Sequence, residues 1–152
     1  MKKTINILLY VLLALSIESC EKDDICIEST TPKLIIRFYD DANPTILKKV
    51  NLLTVWSGSN AKIYDKVSID SIAMPIDINQ NFTNYSFLSG TTENELQFSY
   101  DRSSIFVSRS CGFKMNFTNL QSTPINATWI KNVTINTTTI ENETAAHINI
   151  YH

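Results

Sequence analysis

Beyond residue 32 the chain alternates apolar and polar residues with a period of two. Its one long, mainly apolar stretch lies before that point, over residues 5–17. In Lys33-Leu34-Ile35-Ile36-Arg37-Phe38-Tyr39-Asp40, residues Leu34, Ile36 and Phe38 share one face and Ile35, Arg37 and Tyr39 the other. That period, with β-branched and aromatic content, predicts a strand. Asp40-Asp41-Ala42-Asn43-Pro44 ends it. Residues 50–57 predict a second strand, with Leu53 and Val55 opposite Leu52, Thr54 and Trp56, before a turn at Ser57-Gly58-Ser59-Asn60. Over residues 66–78 the phase changes. Val67 and Ile69 are in step with each other but out of step with Ile72, Met74 and Ile76, so a single strand cannot bury both sets. A bulge or turn is expected at Asp70-Ser71, and Pro75 implies an edge position.

Tyr85 and Phe87 mark the next short strand, ended by Ser89-Gly90. Leu96, Phe98 and Tyr100 mark another, followed by an expected hairpin turn at Asp101-Arg102-Ser103. Residues 104–117 form the longest strand-like run. There Ile105, Val107, Cys111, Phe113, Met115 and Phe117 share a parity with Arg109. A buried, unpaired arginine is costly, so either Arg109 meets a carboxylate or the run bends near Gly112; a bend or bulge there is expected. Residues 118–128 read as loop. Residues 129–135 and 146–152 read as the last strands, with Asn142-Glu143-Thr144 in their connection. About eight short strands with no convincing helix predict an all-β fold, an antiparallel β-sandwich, with a small β-barrel as the alternative.

The apolar run changes the picture at the N-terminus. It follows Met1-Lys2-Lys3 and precedes Glu18-Ser19-Cys20. A basic start, a short apolar core and a small residue before a cut form the layout of a secretory signal peptide, and the run is shorter than the ~20 residues that span a bilayer. With a cysteine just after the cut, Ile17-Glu18-Ser19-Cys20 resembles the lipobox of a bacterial lipoprotein, although Glu18 departs from the usual small apolar residue. The resemblance implies a signal peptide over residues 1–19, diacylation of Cys20, a lipidated tether over residues 20–32 and one domain over residues 33–152. Each buried acyl methylene contributes about 0.8 kcal/mol, so two or three chains anchor firmly. Lys22-Asp23-Asp24 is similar to the lipoprotein export signal of Bacteroidota, which directs lipoproteins to the outer leaflet of the outer membrane. Lipid-anchored localisation at the outer membrane, exposed on the cell surface, is therefore expected.

The charge balance narrows the partners. Taking Lys2, Lys3 and Glu18 from 13 basic and 15 acidic residues leaves 11 and 14, a net of −3 that argues against nucleic acid. Three glycines and four prolines leave no phosphate loop and no long flexible linker. With Cys20 acylated, Cys26 and Cys111 remain. They either form a disulfide, as an oxidising compartment favours, or stand as two buried thiols. A bridge would close a loop of more than 80 residues and pin the start of the domain to a central strand.

Cys20-Glu21-Lys22-Asp23-Asp24-Ile25-Cys26, residues 32–40, Asp70-Ser71-Ile72, Ser108-Arg109-Ser110-Cys111-Gly112-Phe113-Lys114 and residues 141–147 together resemble an uncharacterised family of Bacteroidota lipoproteins, a domain of unknown function. The resemblance covers essentially the whole mature chain. It implies an envelope lipoprotein with Cys26 paired to Cys111, and it supplies no activity, substrate or catalytic residue.

Candidate chemistry is sparse. His147 and His152, the two histidines, are an odd number of residues apart, and on one strand they would face opposite ways. No Cys-x-x-Cys, His-Glu-x-x-His or Gly-x-Ser-x-Gly occurs. Asp23-Asp24 and Asp40-Asp41 lack the alternating oxygen ligands of a calcium loop. No metal or cofactor is expected. Trp56, Trp129 and the tyrosines can stack on sugars, although packing is the usual fate of such residues. Asp70-Ser71-Ile72 is similar to the O-glycosylation sequon of Bacteroidota envelope proteins, which makes Ser71 a candidate modification site. The seven Asn-x-Ser/Thr sequons read as a by-product of Asn and Thr abundance. The expected function is a non-catalytic binding or accessory module that meets an envelope protein or glycan and is held to the membrane through Cys20. The alternative is a small envelope hydrolase with an unfamiliar site.

Overall fold

The computed structural model describes residues 26–27, 30–58, 61–126 and 128–152. Among these, nine strands form: β1 (Leu34–Tyr39), β2 (Val50–Ser57), β3 (Ala61–Ile69), β4 (Ser71–Met74), β5 (Phe82–Ser89), β6 (Thr92–Ser108), β7 (Gly112–Pro124), β8 (Asn132–Ile135) and β9 (Ile148–Tyr151). A four-stranded sheet has the order β4-β1-β9-β8, and a five-stranded sheet the order β3-β2-β5-β6-β7. The fold is the expected all-β sandwich, with no closed barrel. Its pairings are antiparallel except where β1 meets β9, the first described strand lying parallel to the last. Leu34, Ile36 and Phe38 of β1, Ile72 and Met74 of β4, and Ile148 and Ile150 of β9 are buried. They join Leu53, Val55, Tyr85, Phe87, Leu96 and Phe98 of the other sheet in one core. Each such side chain contributes about 1.5–3 kcal/mol when fully buried.

The change of phase near Asp70 now has a cause. β3 ends at Ile69 in the five-stranded sheet and β4 begins at Ser71 in the four-stranded one. The inner faces of the two sheets point at each other, so a chain that crosses between them must change parity to stay apolar inward. The Asp70 carbonyl accepts a hydrogen bond from Phe38 N at 2.9 Å and fixes the crossing. The expected edge position also holds, since β4 is outermost in its sheet and Pro75 follows it directly. The Tyr64 hydroxyl covers that edge, accepting from Ala73 N at 3.0 Å and donating to Ala73 O at 3.2 Å.

Three expectations are corrected. No turn occurs at residues 101–103; β6 runs through them for 17 residues and turns at residues 109–111. Asp101, Arg102 and Ser103 pair with Thr118, Phe117 and Asn116 of β7. Arg102 donates from Nε to Asn81 Oδ1 at 2.7 Å and from Nη1 to the Ile78 carbonyl at 2.6 Å, so these polar side chains brace an exposed hairpin. Arg109 lies in the turn and is exposed, which removes the burial problem, and Gly112 makes the bend at φ +69°. Residues 118–124 are strand rather than loop. A bulge lies between the Ser99–Gln121 and Asp101–Thr118 pairs, with Asn119 left-handed at φ 54°. It resets the phase so that Phe117 and Leu120, three apart, are both buried. Finally, residues 129–131 are not strand. The loop containing them is held by Asn94, which is 1% exposed. Its Oδ1 accepts from Trp129 N at 2.9 Å, from Ile130 N at 3.2 Å and from Thr128 Oγ1 at 2.6 Å. Its Nδ2 donates to the Asn126 carbonyl at 2.9 Å.

His147 sits beside β9 and is 3% exposed. Its N–H donates to Ile35 O, and its Nδ1 accepts from Ile35 N at 2.9 Å, so the ring must carry its proton on Nε2 and remain neutral. Burial lowers its pKa below the ordinary 6.5, against smaller opposing effects of the Asn142 carbonyl and Glu143. His152 is lowered the same way, chiefly by burial.

Asn94→Ala should cost on the order of 3 kcal/mol in chemical denaturation, because several buried N–H groups lose one acceptor together. The unfolded chain takes up protons at its histidines near pH 6.5, before the folded chain does. Stability should therefore be full above that pH and fall as the pH drops below it towards the folded-state pKa values. His147→Asn should flatten this slope when unfolding free energy is measured between pH 5 and 8.

Candidate functional site

The outer face of the five-stranded sheet carries a shelf at the β2–β3 edge. Leu53 and Val55 point inward from β2, so Thr54 and Trp56 point outward, beside Leu88 and Ser86 of the neighbouring β5. β3 pairs with β2 through three register shifts. Two residues of this pair, Leu52 and Lys66, have φ of 52°, a left-handed conformation that costs a side-chain-bearing residue on the order of 1 kcal/mol. The irregularity turns Lys62, Asp65 and Lys66 towards Trp56, and with Thr54 and Leu88 they line a depression of about 300 Å³. Thr54 is buried and its Oγ1 accepts from Lys66 N at 3.1 Å. Lys62 Nζ donates to Asp65 Oδ1 at 2.9 Å, which holds the Asp65 carboxyl below the usual aspartate range. An apolar floor with an indole, a carboxylate and an ammonium at its rim suits a ligand that has one flat apolar face and several hydroxyls.

At the far side of the same sheet, Cys26 and Cys111 form a disulfide with Cα atoms 4.9 Å apart. The bridge spans 85 residues and is worth about 4–5 kcal/mol in the chain-entropy model. Cys111 lies in the β6–β7 turn, at the tip of an outer hairpin rather than in a central strand. Thr31 Oγ1 accepts from Met115 N at 3.0 Å, so the segment before β1 runs along β7. Farther along, Phe117 exchanges both backbone hydrogen bonds with Ile140, and Leu120 N donates to Thr138 O. The outer edge of β7 is thus partly covered.

The other expected site residues are dispersed. Cys20, Lys22, Asp23 and Asp24 lie outside the described residues. Ser71 is the first residue of β4, half-buried, on the outer face opposite Arg37. Trp129 packs against Phe38 and His152 and donates from Nε1 to Phe87 O at 3.2 Å, so its ring is structural. His152 packs edge-on against Phe38, with Nε2 3.3 Å from Lys48 O. Asp40 pairs with Lys48 at 2.8 Å. Among the described residues, no group of three His, Cys, Asp or Glu side chains is placed to hold a metal. Thr54 and Trp56 share a face by simple alternation. Lys62, Asp65 and Lys66 join them only through the register shifts, which alternation does not reveal.

No curated protein and no solved structure matches this chain. Residues 51–152, which run from β2 to the last residue, match a family of unknown function. With two thirds of its length matched, the chain belongs to that family, DUF6452.

Proposed function

We propose that this protein is a lipid-anchored lipoprotein of the Bacteroidota outer membrane and acts there as a non-catalytic binding module, with the Trp56 shelf as its ligand surface. The anchoring part of the reading is supported by the sequence. Two lysines, an apolar run and a cysteine at position 20 form one layout, and Lys22-Asp23-Asp24 follows directly. The binding part is carried by one observation: a bulged, left-handed stretch of β2–β3 presents Lys62, Asp65 and Lys66 around Trp56. Strained backbone of this kind clusters at functional positions. The ligand class is a carbohydrate, whose ring stacks on the indole while its hydroxyls meet the Lys62 and Asp65 groups. Both histidines are engaged in packing and backbone contacts.

Cys20→Ala should release the protein from the membrane fraction or leave its signal uncleaved. Protease added to intact cells should digest the wild type and spare a variant with Lys22, Asp23 and Asp24 all replaced by alanine. A wild type that resists the protease would contradict surface exposure. For the shelf, Trp56→Ala should weaken binding to envelope polysaccharide by at least tenfold in titration calorimetry, with little change in stability. Equal binding by the variant would contradict the assignment.

A further inference from the structure

The tip of the β6–β7 hairpin keeps an apolar side where none is needed for the core. Within the sandwich, Leu96, Phe98 and Tyr100 of β6 face inward and are covered by the other sheet. The same parity continues to Arg102, Ser104 and Phe106, which are exposed. On β7 the run from the bulge outward is Phe117, Met115 and Phe113. Phe106 and Phe113 are direct cross-strand partners whose rings meet edge-to-face at 5.3 Å, yet they are 58% and 68% exposed. Ile105, on the opposite face of the hairpin, is exposed as well, and Ile27 is 89% exposed next to the disulfide. Hairpin tips in water are ordinarily polar, so a solvent-facing aromatic pair at this place needs a partner.

Two observations point to the same partner. The first is charge. The tip itself carries Arg109 and Lys114 and no acidic residue; Glu21, Asp23, Asp24 and Glu28 belong to the segment around Cys26. Aromatic side chains with basic neighbours form the combination that seats a peptide in the interfacial zone of an anionic bilayer. The second is the length of chain left for a tether. Cys26 is only six residues from Cys20, a reach of at most about 20 Å. Cys26 is bonded to Cys111, two residues from Phe113. The disulfide therefore holds the attachment point of any lipid at Cys20 at this hairpin tip. A second copy of the chain is a poorer occupant, because two phenylalanines and an isoleucine fall far short of the ~800 Å² per partner of a stable interface.

We propose that the β6–β7 hairpin tip is a second membrane contact, with Phe106 and Phe113 seated in the interfacial zone of the bilayer that holds the Cys20 lipid. This rests on the anchoring read for Cys20 above. The test is photo-crosslinking in intact cells that carry the full chain with p-benzoylphenylalanine in place of Phe113. The control is the same substitution at Leu52, an exposed residue near the opposite edge of the sheet. Lipid adducts, to lipid A or phospholipid, at position 113 should exceed those at position 52 at least fivefold. Acylation of Cys20 is read by mass on the same sample. An unacylated chain would overturn the anchor, and with it this contact. An acylated chain that gives no lipid adduct at position 113, or only adducts to protein or to a second copy, would overturn the membrane contact alone.

Discussion

The inner faces of the two sheets must remain apolar and in contact, and most of the architecture follows from that requirement. Leu34, Ile36 and Phe38 on one side and Leu53, Val55, Phe87 and Phe98 on the other form a single buried cluster. Neither sheet could stand alone in water with such a face exposed. The chain must also pass between sheets without turning its apolar residues outward, and it does so at Asp70, where the parity changes and the Phe38 N–H holds the crossing in place. The loop ahead of β8 is anchored differently. There the Asn94 side chain supplies the acceptor that strand pairing would otherwise supply. His147 performs the corresponding service for Ile35 at the start of β1.

Strands that lie fully inside the sandwich were legible from alternation. β1 and β2 fall where Leu34, Ile36 and Phe38, and then Leu53 and Val55, place them, and the crossing at Asp70 was visible as a change of phase. The outer hairpin was not legible, for two reasons. Its far half leaves the core, so Asp101, Arg102 and Ser103 carry polar side chains that read as a turn although they are paired strand. The bulge at Asn119 then breaks the period on β7, so residues 118–124 read as loop. The first half of β3 lacks the alternation for a related reason. It is an edge strand, and Lys62, Asp65 and Lys66 along it are exposed. The candidate shelf was half legible, because Trp56 and Thr54 share a face by parity and their polar neighbours arrive only through register shifts. The disulfide joins the expected cysteines, but at the tip of a hairpin whose outer half lies beyond the core and its alternation.

The two surface features lie far apart. Trp56 is level with Ser86 and Glu95 across the sheet, and Phe106 is eleven residues farther along β6, on the order of 35 Å at the usual strand rise. A module anchored at the hairpin would hold its shelf well above the bilayer, where a soluble or envelope glycan can reach it. The Cys26–Cys111 bond connects the two roles mechanically. It makes the six residues from Cys20 continuous with a braced β-hairpin, so the lipid proposed at Cys20 would fix the orientation of the sandwich as well as its location.

Neutron reflectometry of the acylated protein on a supported anionic bilayer tests that claim most directly. Protein density should begin inside the headgroup layer, with no water-filled gap, and the gap should open when Cys26 and Cys111 are both replaced by serine. A hydrated gap beneath the wild-type protein, or the same profile with and without the disulfide, would contradict the account.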